Sequence, residues 1–218
     1  MHQTVQNLLS IESQIKSKIT ELKYNNYYPK IIAVSKTFPI SHIMPLIEKG
    51  HIHFGENKVQ EAIEKWSDVK DKKIKLHLVG KLQTNKVKIA LKIFDFIHSL
   101  DNLKLAKKIS EEQKKYSNKP KIFIQINIGN EDQKSGVKKE DLKDFYNECK
   151  NLELNIIGTM CLPPINLNPR NFFSQMNKLN LDLNLNELSM GMSNDYIEAV
   201  EYNSTYLRIG SNIFGKRT

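Results

Sequence analysis

The sequence predicts an α/β protein built as a single closed (β/α)8 TIM barrel with an extra N-terminal helix. Three observations predict it. Short runs rich in Ile, Val and Leu recur eight times, with amphipathic segments between them. The chain has 218 residues, a length at which one such barrel closes. Polar residues gather at or just after the C-terminal ends of the runs, where a barrel builds its active face. A doubly wound open sheet is the alternative architecture. It usually carries a Gly-rich turn after its first strand, where this chain has Ser35-Lys36-Thr37.

The elements follow in order. Val5, Leu8, Leu9, Ile15, Ile19 and Leu22 fall on helical spacing and predict the opening helix. The first strand is Lys30–Lys36, an apolar run too short for a helix and stopped by Pro39. Strands two to four are His51–Glu56, Lys75–Gly80 and Phe94–Leu100. Strand five, Lys121–Gly129, is entered through Pro120. Strands six to eight are Asn155–Leu162, Glu187–Met192 and Tyr206–Phe214. Helical periodicity covers Ser41–Gly50, Asn57–Val69, Asp101–Tyr116, Lys138–Asn151, Arg170–Leu181 and Asn194–Asn203. Asp195 sits in the first turn of the last of these, where negative charge suits the helix dipole. No linker, low-complexity tract or short repeat divides residues 1–218, so one domain is expected.

Composition narrows the function. The net charge of +9 invites a nucleic-acid reading, but only Arg170, Arg208 and Arg217 among the 33 basic residues are arginine. Clusters such as Lys70-Asp71-Lys72-Lys73 interleave acids, and no aromatic-rich strand offers a surface for stacking bases. A solvated basic surface with no specific nucleic-acid partner is the expectation. No stretch has the length and apolarity of a membrane span, and Met1-His2-Gln3-Thr4 does not lead into an apolar leader. Cys149 and Cys161 lack metal-ligand spacing and read as free thiols of a cytoplasmic protein.

Lys36 carries the sharpest chemical signal. It ends a strand buried on both faces, at the rim of an apolar core. Desolvation there would lower an amine's pKa and free its lone pair for a Schiff base with an aldehyde. A lysine that snorkels to solvent satisfies the same segment. Repetition around the ring adds weight. Lys36, Glu56-Asn57, Gln83, Ser99, Asn127, Met160, Ser193 and Gly210-Ser211 all fall near strand ends. Gly191-Met192-Ser193-Asn194 lies between strand seven and a helix and Arg208-Ile209-Gly210-Ser211 lies in strand eight, and barrels commonly bind phosphate with the loops after these two strands. Arg208 alternates with Leu207 and Ile209, which points it inward. A phosphate, a pyridine nitrogen or a carboxylate such as Glu56 would satisfy it. Facing a pyridine nitrogen, it would disfavour protonation and weaken the ring as an electron sink. His53 and His77 read as structural histidines of the interior.

Together these residues resemble the YggS/PROSC family of pyridoxal 5′-phosphate homeostasis proteins. The matching segments are Ala33-Val34-Ser35-Lys36-Thr37, His53-Phe54-Gly55-Glu56-Asn57-Lys58-Val59-Gln60-Glu61 and His77-Leu78-Val79-Gly80-Lys81-Leu82-Gln83-Thr84-Asn85-Lys86. Further on are Gln125-Ile126-Asn127, Lys134-Ser135-Gly136-Val137, Leu188-Ser189-Met190-Gly191-Met192-Ser193 and Arg208-Ile209-Gly210-Ser211. The likeness runs from about the first strand to Phe214-Gly215. Thr159 stands where a larger apolar residue is common, and the segment from Asn166 to Pro169 looks short.

The resemblance implies a barrel like the cofactor domain of alanine racemase, and pyridoxal 5′-phosphate linked to Lys36. It implies phosphate contacts from Ser193, Gly210 and Ser211, Arg208 near the pyridine nitrogen, and Asn57 near the cofactor. It implies a carrier without established catalytic residues, no metal, and PLP-dependent apoenzymes as recipients. A monomer is expected. The competing reading is a racemase-like enzyme, which needs a second acid–base group opposite the lysine. Tyr202 and Tyr206 read as packing residues, and no sequence after the eighth strand would form a further domain.

Overall fold

The computed structural model describes residues 1–69, 71, 73–116 and 119–215. Lys70 and Lys72 of the basic cluster, and Arg217, lie outside them. Eight parallel strands form a closed barrel in chain order. They are β1 (Lys30–Val34), β2 (His53–Glu56), β3 (Lys75–Leu78), β4 (Phe96–Leu100), β5 (Lys121–Ile126), β6 (Ile156–Cys161), β7 (Glu187–Met192) and β8 (Tyr206–Ile209). The open-sheet alternative is thereby overturned, because β1 pairs with both β2 and β8.

Helices cover the barrel. The added N-terminal helix is α1 (Gln3–Glu21), followed by α2 (Ile40–Glu48), α3 (Val59–Trp66), α4 (Val87–Ile93) and α5 (Leu103–Gln113). The chain continues through α6 (Leu142–Asn151), α7 (Pro169–Asp182), α8 (Tyr196–Glu201) and α9 (Ser211–Phe214). Helix α1 buries Val5, Leu8, Ile11 and Ile15. It is pinned to the far end of the chain: Asn7 Nδ2 donates to the Ile213 carbonyl at 2.9 Å, and Tyr196 Oη donates to Gln14 Oε1 at 2.6 Å.

Two sequence expectations are corrected. The eighth strand stops at Ile209, and Ser211–Phe214 is a helical turn closed by Phe214 N–H donating to the Gly210 carbonyl at 2.9 Å. Ile213 and Phe214 still reach the core, but from the helical turn. The segment between β3 and β4 holds α4, which the periodicity reading passed over. Its Val87, Ala90 and Leu91 are buried at i, i+3 and i+4, the spacing of one helix face.

The barrel interior is unusual in holding imidazoles among apolar rings. Ile32, Val34, Phe96, Phe123, Met160 and Tyr206 form an inner cluster apart from the strand–helix core. The His77 ring stacks on Phe96 at 4.1 Å and the His98 ring stacks on Phe123 at 4.3 Å. Burial pulls the pKa of His77 and His98 well below the ordinary value. Burial, with His51 and Lys30 nearby, lowers His53 to about 4. Each folded-state pKa is depressed, so the unfolded chain binds the extra protons. Stability from this source is fully present above about pH 6.5 and is lost as pH falls toward 4. Each titrating histidine adds a slope approaching about 1.4 kcal/mol per pH unit. Urea midpoints at pH 7.5, 6.0 and 5.0 should fall in that order, and less steeply in His53→Gln. A midpoint independent of pH across this range would contradict neutral burial.

Candidate functional site

A cavity of about 630 Å³ opens at the C-terminal ends of the strands. Lys36, Asn57, Arg208, Ser193, Gly210 and Ser211 all line it. The sequence reading placed these six at one mouth, and the closed barrel brings them together. Asn127 and Gly80 line it too, whereas Glu56, Gln83, Ser99 and Met160 are not among its lining residues.

Lys36 sits two residues past β1, half-buried. The segment beneath it is fixed by a buried polar cluster. The Glu56 carboxylate is fully buried, and its Oε1 accepts from Ser35 Oγ at 2.7 Å, Lys65 Nζ at 2.9 Å and Trp66 Nε1 at 3.1 Å. Lys65 Nζ also donates to the Ser35 carbonyl at 2.8 Å and to Glu61 Oε1 at 3.0 Å. Glu61 Oε1 accepts in turn from the Thr37 backbone N–H. Thr37 has φ 68°, a left-handed conformation that is costly for a β-branched residue. Anchoring on both sides of Lys36, through Ser35 and Thr37, holds that conformation and sets where the lysine leaves the strand.

Arg208 rises from β8 into the cavity floor and is 5% exposed. Its Nη1 donates to Ser189 Oγ at 2.6 Å and its Nη2 to the Cys161 carbonyl at 2.8 Å. Burial lowers its pKa, an effect that Cys161 and Asp195 oppose. An arginine nevertheless stays protonated in a protein. Its two hydrogen-bond partners, the Ser189 hydroxyl and the Cys161 carbonyl, are neutral acceptors. Glu56, considered as its partner from the sequence, is instead committed to Lys65, because β2 carries that carboxylate toward α3.

Ser193 and the start of α9 also line the cavity. Ser193 Oγ accepts from the Gly210 N–H at 3.3 Å and the Asn212 N–H at 3.4 Å, and Asn212 Nδ2 donates to the Ser193 carbonyl at 2.8 Å. The two Oγ contacts are long, so these N–H groups can turn to a stronger acceptor at little cost. Gly191 lies near the end of β7, at an irregularity in the pairing with β8, two residues before Ser193. Its φ of 89° is in the left-handed region, and a Cβ there would lie 2.6 Å from the Ala199 Cβ. At Gly80 a Cβ would lie 2.3 Å from the Asn57 carbonyl oxygen, so glycine lets the loop after β3 pack on the Asn57 backbone.

The sequence reading also missed participants. Lys81 and Lys134 line the cavity, as do Gln125 and Ser135. Gln125 Nε2 donates to the Ser135 carbonyl at 2.9 Å, which ties the loop after β5 to its strand. Gln125, Lys81, Lys134 and Ser135 all lay within segments quoted above, but nothing in their spacing said which way they face. Asn127 holds that loop too, donating to the Glu131 carbonyl at 2.9 Å. Thr159 is explained away from the cavity: its hydroxyl donates to Asn180 Oδ1 at 2.9 Å beneath α7. Cys149 and Cys161 are buried free thiols, each pushed up to about 12 by burial. Among the described residues no His/Cys/Asp/Glu group is arranged to hold a metal ion, and no helix is long and apolar enough to cross a membrane.

Comparison with known proteins gives one consistent result. Residues 12–218 match the family described as alanine racemase, N-terminal domain. A pyridoxal phosphate homeostasis protein of Pasteurella multocida is 35% identical over 225 residues, covering 97% of each chain. One of Aquifex aeolicus is 36% identical over 198 residues, covering 86% of this chain and 87% of that one. Among solved structures, PipY of Synechococcus elongatus with PLP bound superposes with a TM-score of 0.80 at 33% identity, covering 92% of this chain and all of that one.

Proposed function

The chain belongs to the alanine racemase N-terminal domain family and, within it, to the pyridoxal phosphate homeostasis proteins. From that premise we propose that it binds pyridoxal 5′-phosphate through a Schiff base on Lys36, and carries and buffers it within the cytoplasm for PLP-dependent apoenzymes. The observation that carries the reading is one cavity lined by an amine, a buried guanidinium on neutral partners, and a serine bearing two loosely held N–H groups.

The cofactor fits this donor set. When bound, it supplies an aldehyde that condenses with a primary amine, a pyridine nitrogen and a phosphate. Lys36 presents the amine from the end of β1. Arg208 can only donate, so it suits an unprotonated ring nitrogen and keeps a proton off it. Ser193 with the Gly210 and Ser211 backbone receives the phosphate, and Asn57 borders the ring. Ser193→Ala should weaken PLP binding by about 1–3 kcal/mol, measured by titration. Pyridoxal lacking the phosphate should bind far more weakly than PLP to the unaltered chain. Equal affinity for the two compounds would move the phosphate elsewhere.

Carriage rather than turnover is favoured by the lining of the cavity. Its titratable side chains are Lys36, Lys81, Lys134 and Arg208, and no described tyrosine, histidine, cysteine or carboxylate lines it. A racemase needs a proton donor and acceptor on opposite faces of its substrate. Tyr206 lies inside the barrel, where burial raises its pKa. Long incubation with L- and D-amino acids should therefore change the absorbance spectrum without producing the opposite enantiomer. Chiral analysis and deuterium exchange at Cα read this out. Repeated turnover that vanishes in Lys36→Ala would make the chain an enzyme.

A further inference from the structure

A row of polar side chains runs through the barrel interior, and the proposed site uses only its last member. His53 Nδ1 lies 2.9 Å from His77 Nε2, and His77 Nδ1 lies 2.9 Å from His98 Nε2. His98 Nδ1 lies 3.0 Å from Ser189 Oγ, to which Arg208 Nη1 donates at 2.6 Å. His77, His98 and Ser189 are completely enclosed. His53 is the first residue of β2 and half-buried, so the row begins at the mouth opposite the cavity.

The sense of every link follows from its arginine end. A guanidinium has donors only. Ser189 Oγ therefore accepts from Arg208. A hydroxyl oxygen could accept a second bond, but Ser189 is fully buried and His98 Nδ1 is the other partner of its Oγ among the described residues, so satisfying the hydroxyl sends its hydrogen to His98 Nδ1. His98 must then carry its proton on Nε2 and donate to His77 Nδ1. By the same step His77 donates from Nε2 to His53 Nδ1. Each histidine accepts on one nitrogen and donates from the other, which an imidazolium cannot do. Stacking of the His77 and His98 rings on Phe96 and Phe123 suits that neutral state.

We infer that His53, His77, His98 and Ser189 form a one-way hydrogen-bond chain, every ring protonated on Nε2, which orients the Arg208 guanidinium toward the ring of a bound pyridoxal phosphate. Ser189 and His98 are positioning residues: they lie behind Arg208 and are absent from the cavity lining. The row also links the site to the far mouth, because a change in what Arg208 faces alters how strongly it polarises Ser189. The orientation of Arg208 toward the cofactor rests on the function proposed above. The sense of the chain rests on geometry alone.

The test is side-chain NMR of the full chain labelled with 15N-histidine, before and after addition of PLP. Without PLP, His53, His77 and His98 should each show the Nε2–H tautomer. An Nδ1–H tautomer at His77 or His98 overturns the assigned sense, and this arm needs no variant to fold. With PLP, the ring nitrogens of His98 should shift, and unmoved signals at saturation would show that the row does not sense the site. Ser189→Ala should redistribute the tautomers as far as His53 and weaken PLP binding about tenfold or more, with a displaced absorbance maximum. Ser189→Thr, which keeps the hydroxyl, should restore all three. Unchanged affinity and absorbance in Ser189→Ala would overturn the positioning role. A cofactor trapped on a lysine other than Lys36 would overturn the function proposed above while leaving the tautomer result standing.

Discussion

Lys36→Ala should abolish the borohydride-reducible link to pyridoxal phosphate completely while leaving the protein folded. The chain loaded with PLP should be yellow, and reduction should fix one cofactor per chain on the peptide containing Lys36. The variant removes the amine but none of the phosphate contacts proposed for Ser193, Gly210 and Ser211. Residual, non-covalent and colourless-on-dialysis binding is therefore expected, at much reduced affinity. Lys36 is half-buried and lies outside the regular strand, so the unfolding free energy should change by no more than about 1 kcal/mol. Peptide mapping also discriminates between neighbours, because Lys81 and Lys134 share the cavity. A trap on either of them would sink the assignment to Lys36.

The second large effect is on stability. Lys65→Met should destabilise the fold by about 3–5 kcal/mol, because it strands a buried carboxylate. The Lys65 side chain is 8% exposed and Glu56 fully enclosed. Three donors already converge on Glu56 Oε1, while Oε2 has no partner among the described residues. Removing Lys65 takes away a cation 2.9 Å from that carboxylate and one tie on the Ser35 carbonyl. Glu56→Gln in the same background should recover part of the loss by deleting the charge. Urea unfolding of the single and double variants checks this. A single variant within 1 kcal/mol of the parent, a threshold set well below the cost of an unpaired buried charge, would show that Glu56 finds other compensation.

Much of this architecture can be read from the chain because parallel strands buried on both faces advertise themselves as apolar runs. Strand seven, Glu187–Met192, is read to the residue. Others are read one to a few residues too long, since apolar residues such as Phe94 and Leu162 continue past the ladder into buried or cavity-lining loops. The eighth strand is the clearest case. Ile213 and Phe214 are as apolar as strand residues, and only the hydrogen bonding of Gly210 and Ser211 distinguishes a helical turn. Lys36, Arg208 and Ser193 are legible because strand ends share one face. The partner of Glu56 is not, because Lys65 reaches it across a strand-to-helix contact that no periodicity encodes. His98 is missed for a similar reason. One histidine in an apolar strand says little, and its role appears only when the ring closes and places β7 and β8 against it.

Lys36 and Arg208, which line the cavity, come from the end of β1 and from β8, and these two strands pair at the seam where the barrel shuts, Lys30 against Tyr206 and Ala33 against Ile209. Nearly the whole chain separates them in sequence. Long-range pairings of this kind carry the largest loop-closure cost and slow folding. During synthesis Lys36 emerges early, but it must wait for the last strand before any cradle exists around it. A half-made chain thus offers an isolated amine, while a finished one offers a site. Ligand that binds only the closed form adds RT ln(1 + [L]/Kd) to its stability. A ligand held by both Lys36 and Arg208, as proposed, would act as a clasp across the seam and tie the lifetime of the shut barrel to the supply of what it holds.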